Sequence, residues 1–167
     1  MGGRTAMCAA LMAPNKIAGL LVVDISPKTT LPEYGNILKV LKEMHAFNLS
    51  KFKKISKAKL AIRKHMKPFI TDENVIESVI GNLKPIANGK IAWACNVEIL
   101  IKDYKYWSSF PDNLETKVYD GPTLFIGGQL SDYIPADDLT AIRRLFPRAV
   151  IIYIPKTKHY PHVDDPK

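Results

Sequence analysis

Residues 17–27 read IAGLLVVDISP, from Ile17 to Pro27, an apolar run closed by an acid and a proline-containing loop. Its β-branched content and lack of polar alternation predict a strand buried on both faces, as in a parallel sheet. Asp24 ends that strand, and a carboxylate at a strand end beside a loop stands where α/β folds place working groups. Upstream, residues 3–13 (GRTAMCAALMA) are rich in small side chains and free of proline, which predicts a closely packed helix ending at Pro14-Asn15. Downstream, Pro122 to Gly128 (PTLFIGG) predicts a second buried strand running into glycines. Ala136 to Phe146 predicts a helix opened by Pro135, with Asp137 and Asp138 in the first turn, where the helix dipole favours acids. Ala149 to Ile154 (AVIIYI) predicts a third strand, followed by Lys158-His159-Tyr160.

The middle has a different texture. Asn36 to Phe47 and Ser50 to Met66 carry helical periodicity, and Thr71-Asp72-Glu73-Asn74 is a helix-start signal with Thr71 or Asp72 as N-cap. Ile91 to Val97 reads as a short strand or extended segment, and Ile99 to Trp107 as another helix. Little here alternates like a sheet, so residues 31–110 are predicted to form a helical cap. Residues 1–30 and 111–167 then form an α/β core, the second half of a mostly parallel sheet. Three strands alone leave both outer strands as unpaired edges, and domains of this class commonly need more chain, so the arithmetic points to a missing half.

The chain has 167 residues, with 24 Lys and Arg against 16 Asp and Glu, a formal charge of +8. Lys51 to Lys67 holds eight of those cations (seven lysines and Arg63) and no acid, so the basic character is local. Two readings stand beside each other: the solvated face of an amphipathic helix whose apolar stripe is Phe52, Ile55, Ala58, Ile62 and Met66, or a footprint for an anionic membrane or nucleic acid. Phe52 is the one aromatic residue among the lysines, short of the interleaved rings that a single-strand stacking platform requires, and nucleic acid is not the expected partner. Two cysteines, Cys8 and Cys95, exclude a disulfide framework and a four-cysteine zinc site, and both read as core residues. No apolar run approaches the roughly 20 residues that span a bilayer. The chain carries no signal or transit peptide signature.

Five segments in order carry a resemblance: Met1-Gly-Gly-Arg-Thr-Ala-Met7, Val22-Val-Asp-Ile-Ser-Pro27, Gly121 to Gly128, Arg144-Leu-Phe-Pro-Arg-Ala149 and His159-Tyr-Pro-His-Val-Asp-Asp-Pro166. Together they resemble serine hydrolases of the α/β-hydrolase fold, in particular a mitochondrial branch and its bacterial esterase relatives. Met1-Gly2-Gly3 looks like the back half of a G-x-S-x-G nucleophile elbow. The resemblance implies that the nucleophile serine would lie immediately before Met1, and that the 167-residue chain is inactive alone and folds poorly. It implies esterase or acylglycerol-lipase chemistry through an acyl-enzyme, a diacylglycerol-like ester as substrate, no metal or organic cofactor, and a mitochondrial location.

Carried over residue by residue, the resemblance makes His159 the general base, although the glycine usual before it is Lys158 here. His162 falls to loop support, and His45 and His65 to the cap. Three carboxylates compete for the acid that holds the imidazole's tautomer: Asp24 first, then Asp132 after the Gly127-Gly128 strand, then Glu98 in the Trp93 to Glu98 stretch. Met1, following the nucleophile, would supply an oxyanion-hole nitrogen. Trp93 and Trp107 are the expected lining of an acyl pocket, or equally part of the core of the cap. The rival reading is a non-catalytic module that binds an anionic surface through the Lys51–Lys67 face.

Overall fold

The computed structural model describes residues 2–28 and 32–166. In chain order the elements are α1 (Gly2–Met12), β1 (Leu20–Val23), α2 (Pro32–Ala46), α3 (Ile55–Met66), α4 (Glu73–Gly81), β2 (Leu83–Pro85), β3 (Ile91–Trp93), α5 (Val97–Lys102), α6 (Tyr104–Ser108), β4 (Thr123–Gly128), α7 (Leu139–Leu145), β5 (Ala149–Ile154) and α8 (Pro161–Asp164). They divide into two compact units. One comprises residues 1–31 and 106–167; the other is Pro32–Lys105.

The first unit is built on a parallel sheet of order β1-β4-β5. Its register aligns Val22, Phe125 and Ile151 on one face, and Leu21, Leu124 and Val150 on the other. Val22 and Phe125 are fully buried, and α1 packs on β1 with Met7 and Ala10 fully buried. That approach depends on Gly3, where a Cβ would lie 2.4 Å from the Ile25 side chain. Phe125 also meets Phe146, at the end of α7, edge to face. The Tyr119 hydroxyl donates to the Ile17 carbonyl at 2.9 Å and ties the approach to β4 to that of β1.

The opposite face corrects the expectation of strands buried on both sides. Leu21 is 56% and Val150 59% exposed, and Val23 and Ile152 are exposed beside them. An apolar run records what a strand is able to cover, whereas burial needs a layer on each side. The strand also starts later than its apolar run, at Leu20 rather than Ile17.

In the second unit α2 packs against α5 and α3 against α4. Asp72 caps α4 through its side chain on the Asn74 N–H, and Asn96 caps α5 on that of Ile99. The Trp93 indole donates to the Met44 carbonyl at 3.0 Å and joins β3 to α2. The expected extended segment is β3, but its antiparallel partner β2 went unpredicted. Asn88 and Gly89, both left-handed (φ 61° and 66°), turn that hairpin. The single helix expected over Ile99 to Trp107 is two short ones, α5 and α6, and the helix expected from Ser50 begins at Ile55 after a one-turn 3-10 segment, Leu49–Lys51. The helix expected from Ala136 likewise opens with a 3-10 turn before α7. Among the described residues no helix is long and apolar enough to cross a membrane.

Candidate active site

The loops following the three strands of the first unit converge on Asp24. The residue directly follows β1, its side chain is 1% exposed, and its backbone is left-handed with φ 46°. Asparagine and aspartate tolerate this conformation better than other non-glycine residues. The carboxylate is satisfied from three directions. Oδ1 accepts the Gly128 N–H at 2.9 Å; Oδ2 accepts the Ser131 hydroxyl and lies 2.9 Å from Nδ1 of His159. Because a carboxylate accepts, the imidazole presents Nδ1–H to it, which leaves the lone pair on Nε2 for proton transfer.

His159 is held by a network between the loops after β4 and β5. The Gln129 N–H donates to the Ile154 carbonyl at 3.0 Å and the Leu130 N–H to that of Thr157 at 2.9 Å. Buried Thr157 donates its hydroxyl back to Ile154, and the Lys158 N–H donates to Asp164 at 2.7 Å. The two loops touch so closely at Gly128 that a Cβ there would lie 2.1 Å from the Lys158 carbonyl oxygen. The left-handed residue of this loop is Lys156 (φ 60°), so the turn is made two positions before the lysine that stands where the resemblance expects glycine. Tyr133 stacks on the imidazole with ring centres 3.7 Å apart and planes 18° apart, and Tyr160 tilts against it at 5.0 Å. Buried Arg4 donates to the carbonyls of Ser26 and Ser108 and fixes the loop beyond Asp24. Burial first, and the charge of Asp24 second, push the Tyr153 phenol above its ordinary value, and its hydroxyl donates to the Ile134 carbonyl at 3.0 Å.

The other sequence candidates lie as follows. Asp132 is exposed on the turn whose neighbour Ser131 bonds Asp24, and Glu98 is exposed in the first turn of α5, in the second unit. Met1 lies outside the described residues. Trp93 and Trp107 are both half-buried, Trp93 in the second unit and Trp107 in the first. His162 is exposed on α8 and His45 on α2, while His65 pairs with Glu43 at 3.0 Å. Cys8 and Cys95 are half-buried rather than core residues, and burial raises the Cys8 thiol, which works against a nucleophilic role. Among the described residues no three His, Cys, Asp or Glu side chains gather as a metal site requires. Sequence reasoning passed over Ser131, Gly128 and Tyr133. The glycine pair at the end of β4 was the available signal, since strand-end glycines mark close backbone approach.

No family model matches the chain. Along its length it is similar to the sn-1-specific diacylglycerol lipase ABHD11 of Danio rerio, with 36% identity over 166 residues covering 99% of this chain and 51% of that protein. The protein of the same name from Mus musculus is 33% identical over 167 residues, covering 100% and 53%. The chain thus spans about half the length of these curated relatives. Among solved structures, a marine microorganism esterase superposes with a TM-score of 0.87 at 26% identity, covering 98% of this chain and 62% of that one.

Proposed function

Because this chain has the α/β-hydrolase fold and is similar along its length to lipases and esterases, we propose that it is the base-bearing part of a serine ester hydrolase working through an acyl-enzyme. The observation that carries this reading is the 2.9 Å contact between Asp24 and His159, made by the ends of two parallel strands onto a carboxylate that is almost fully buried. In this reading an active-site serine attacks the ester carbonyl. His159 Nε2 takes its proton and returns it to the leaving alcohol, while Asp24 fixes the tautomer and stabilises the imidazolium. Tyr133, stacked on the ring, limits its rotation.

The substrate class we assign is a glycerolipid ester of the diacylglycerol type, in keeping with the names of the animal relatives. The mitochondrial location belongs to the same proposal and is tested by fractionation.

The test is made on a protein extended upstream to the relatives' length. A fluorophosphonate probe should label it, and acyl-ester turnover should accompany labelling. Asp24→Asn should slow turnover by about four orders of magnitude, as tautomer loss does in other triads, and His159→Ala at least as much. Undiminished turnover in His159→Ala overturns the assignment.

A further inference from the structure

The second unit carries a charged surface that the chemistry at Asp24 and His159 does not use. On α3, Ala58, Ile62 and Met66 are fully buried and form one stripe at four-residue spacing. The other side is cationic. Lys51, Lys53, Lys54, Lys57, Lys59, Lys64 and Lys67 are all exposed, and among the described residues no acid pairs with any of them. Arg63 is treated differently: Glu73 and Glu77 of α4 both bond its guanidinium. One cation of this segment is neutralised by neighbours while seven are left to solvent.

Leu60 stands among them, 71% exposed. At 3.6 residues per turn it follows Lys57 by three positions and precedes Lys64 by four, so the three share the face opposite the buried stripe. A cationic face with a leucine at its centre is the pattern of a helix lying in a bilayer interface, where lysines meet anionic headgroups and the apolar side chain enters the acyl boundary. A phosphodiester backbone offers nothing to Leu60. The segment's one arginine is occupied by Glu73 and Glu77, and its one aromatic ring, Phe52, is stacked on Phe47, so the segment offers no free ring on which a base could stack.

We infer that α3 and the turn before it dock this protein peripherally on an anionic lipid surface, with Leu60 inserted between Lys57 and Lys64. The inference concerns the second unit and stands whatever His159 does. Each lysine that reaches the headgroups multiplies partitioning by roughly fivefold. Burying the leucine adds roughly a further tenfold.

The test is co-sedimentation of the 167-residue chain with vesicles of phosphatidylcholine alone and of equimolar phosphatidylcholine and phosphatidylserine. Binding is expected to the mixed vesicles only, weakening as salt is raised. The pair Lys57→Glu and Lys64→Glu should lower partitioning at least ~25-fold. Leu60→Ala should lower it roughly tenfold while leaving the salt dependence unchanged. All three sites are exposed, so circular dichroism of each variant should match the parent, and Lys57→Gln with Lys64→Gln serves if the glutamates disturb the helix. Equal binding to both vesicles, or none to the mixed ones, overturns the inference. So does retention of a DNA duplex by parent and Leu60→Ala alike with no selective vesicle binding, which identifies a nucleic-acid surface instead.

Discussion

Replacing Gly128 with alanine sets a methyl carbon 2.1 Å from the Lys158 carbonyl oxygen, and 2.8 Å from both the Lys158 carbonyl carbon and the Thr157 oxygen. All three obstacles are backbone, so no side chain can swing aside. Real Cβ contacts essentially never fall below 3.0 Å, so one loop must retreat by about 0.9 Å, the kind of overpacking that costs about 2–3 kcal/mol. The retreat moves the residue before His159 away from the strand end that donates to Asp24. The 2.9 Å contact between imidazole and carboxylate is expected to lengthen with it. Urea unfolding followed by Trp107 fluorescence in a Trp93→Phe background reads this directly, because Trp107 belongs to the unit that holds Gly128 and Trp93 to the other. Gly2→Ala is the companion variant. Nothing lies within 4 Å of a Cβ there, and alanine in a helix should be neutral or stabilising by up to about 1 kcal/mol. A Gly128→Ala stability within ~0.5 kcal/mol of the parent, with Gly2→Ala behaving as stated, would refute the tight loop contact on which the placement of His159 rests.

Two further outcomes follow from the same geometry. Ser131→Ala removes a hydroxyl from Asp24 while Gly128 and His159 remain on it; being half-buried, it should cost about 1–2 kcal/mol by urea unfolding, and an unchanged midpoint contradicts the bond. Burial holds the Cys8 thiol above its ordinary value of 9.0, so less of it is thiolate at neutral pH than in an unfolded chain. Iodoacetamide should therefore label Cys8 more slowly at neutral pH than it labels glutathione, and labelling as fast as glutathione would count against that burial. By the same sign, stability from this group is intact below 9.0 and lost as pH rises from there through the folded value.

The three strands and the helices beside them could be read from apolar runs, because burial of one sheet face suffices to write such a run. Which face, and whether the other is covered, could not be read, since Leu21 and Val22 look alike in sequence and differ only in what lies against them. The β2–β3 hairpin escaped because Pro85 and a three-residue strand give no alternation to see, although Asn88-Gly89 is a turn signal. At the site, Asp24 and His159 were visible as a strand-end acid and a histidine in register with a resemblance. Ser131 and the Gly128 amide were not. A carboxylate is oriented equally by hydroxyls and backbone N–H groups, which do not titrate and leave no mark in a pattern of charged residues.

The order of the chain also bears on how this site comes into being. Leu20 pairs with Thr123, and Asp24 meets His159 across 135 residues. Contacts of such separation are slow to form, because chain entropy is lost in closing the loop before any pairing compensates it. The intervening Pro32–Lys105 unit shortens that search. Its first helix, α2, packs against α5 near its end, and Trp93 bonds Met44 within it, so folding of the unit shortens the chain between β1 and β4. By sequence separation alone, local helices are expected to form first and the meeting of Asp24 with His159 last, once β5 has joined the sheet.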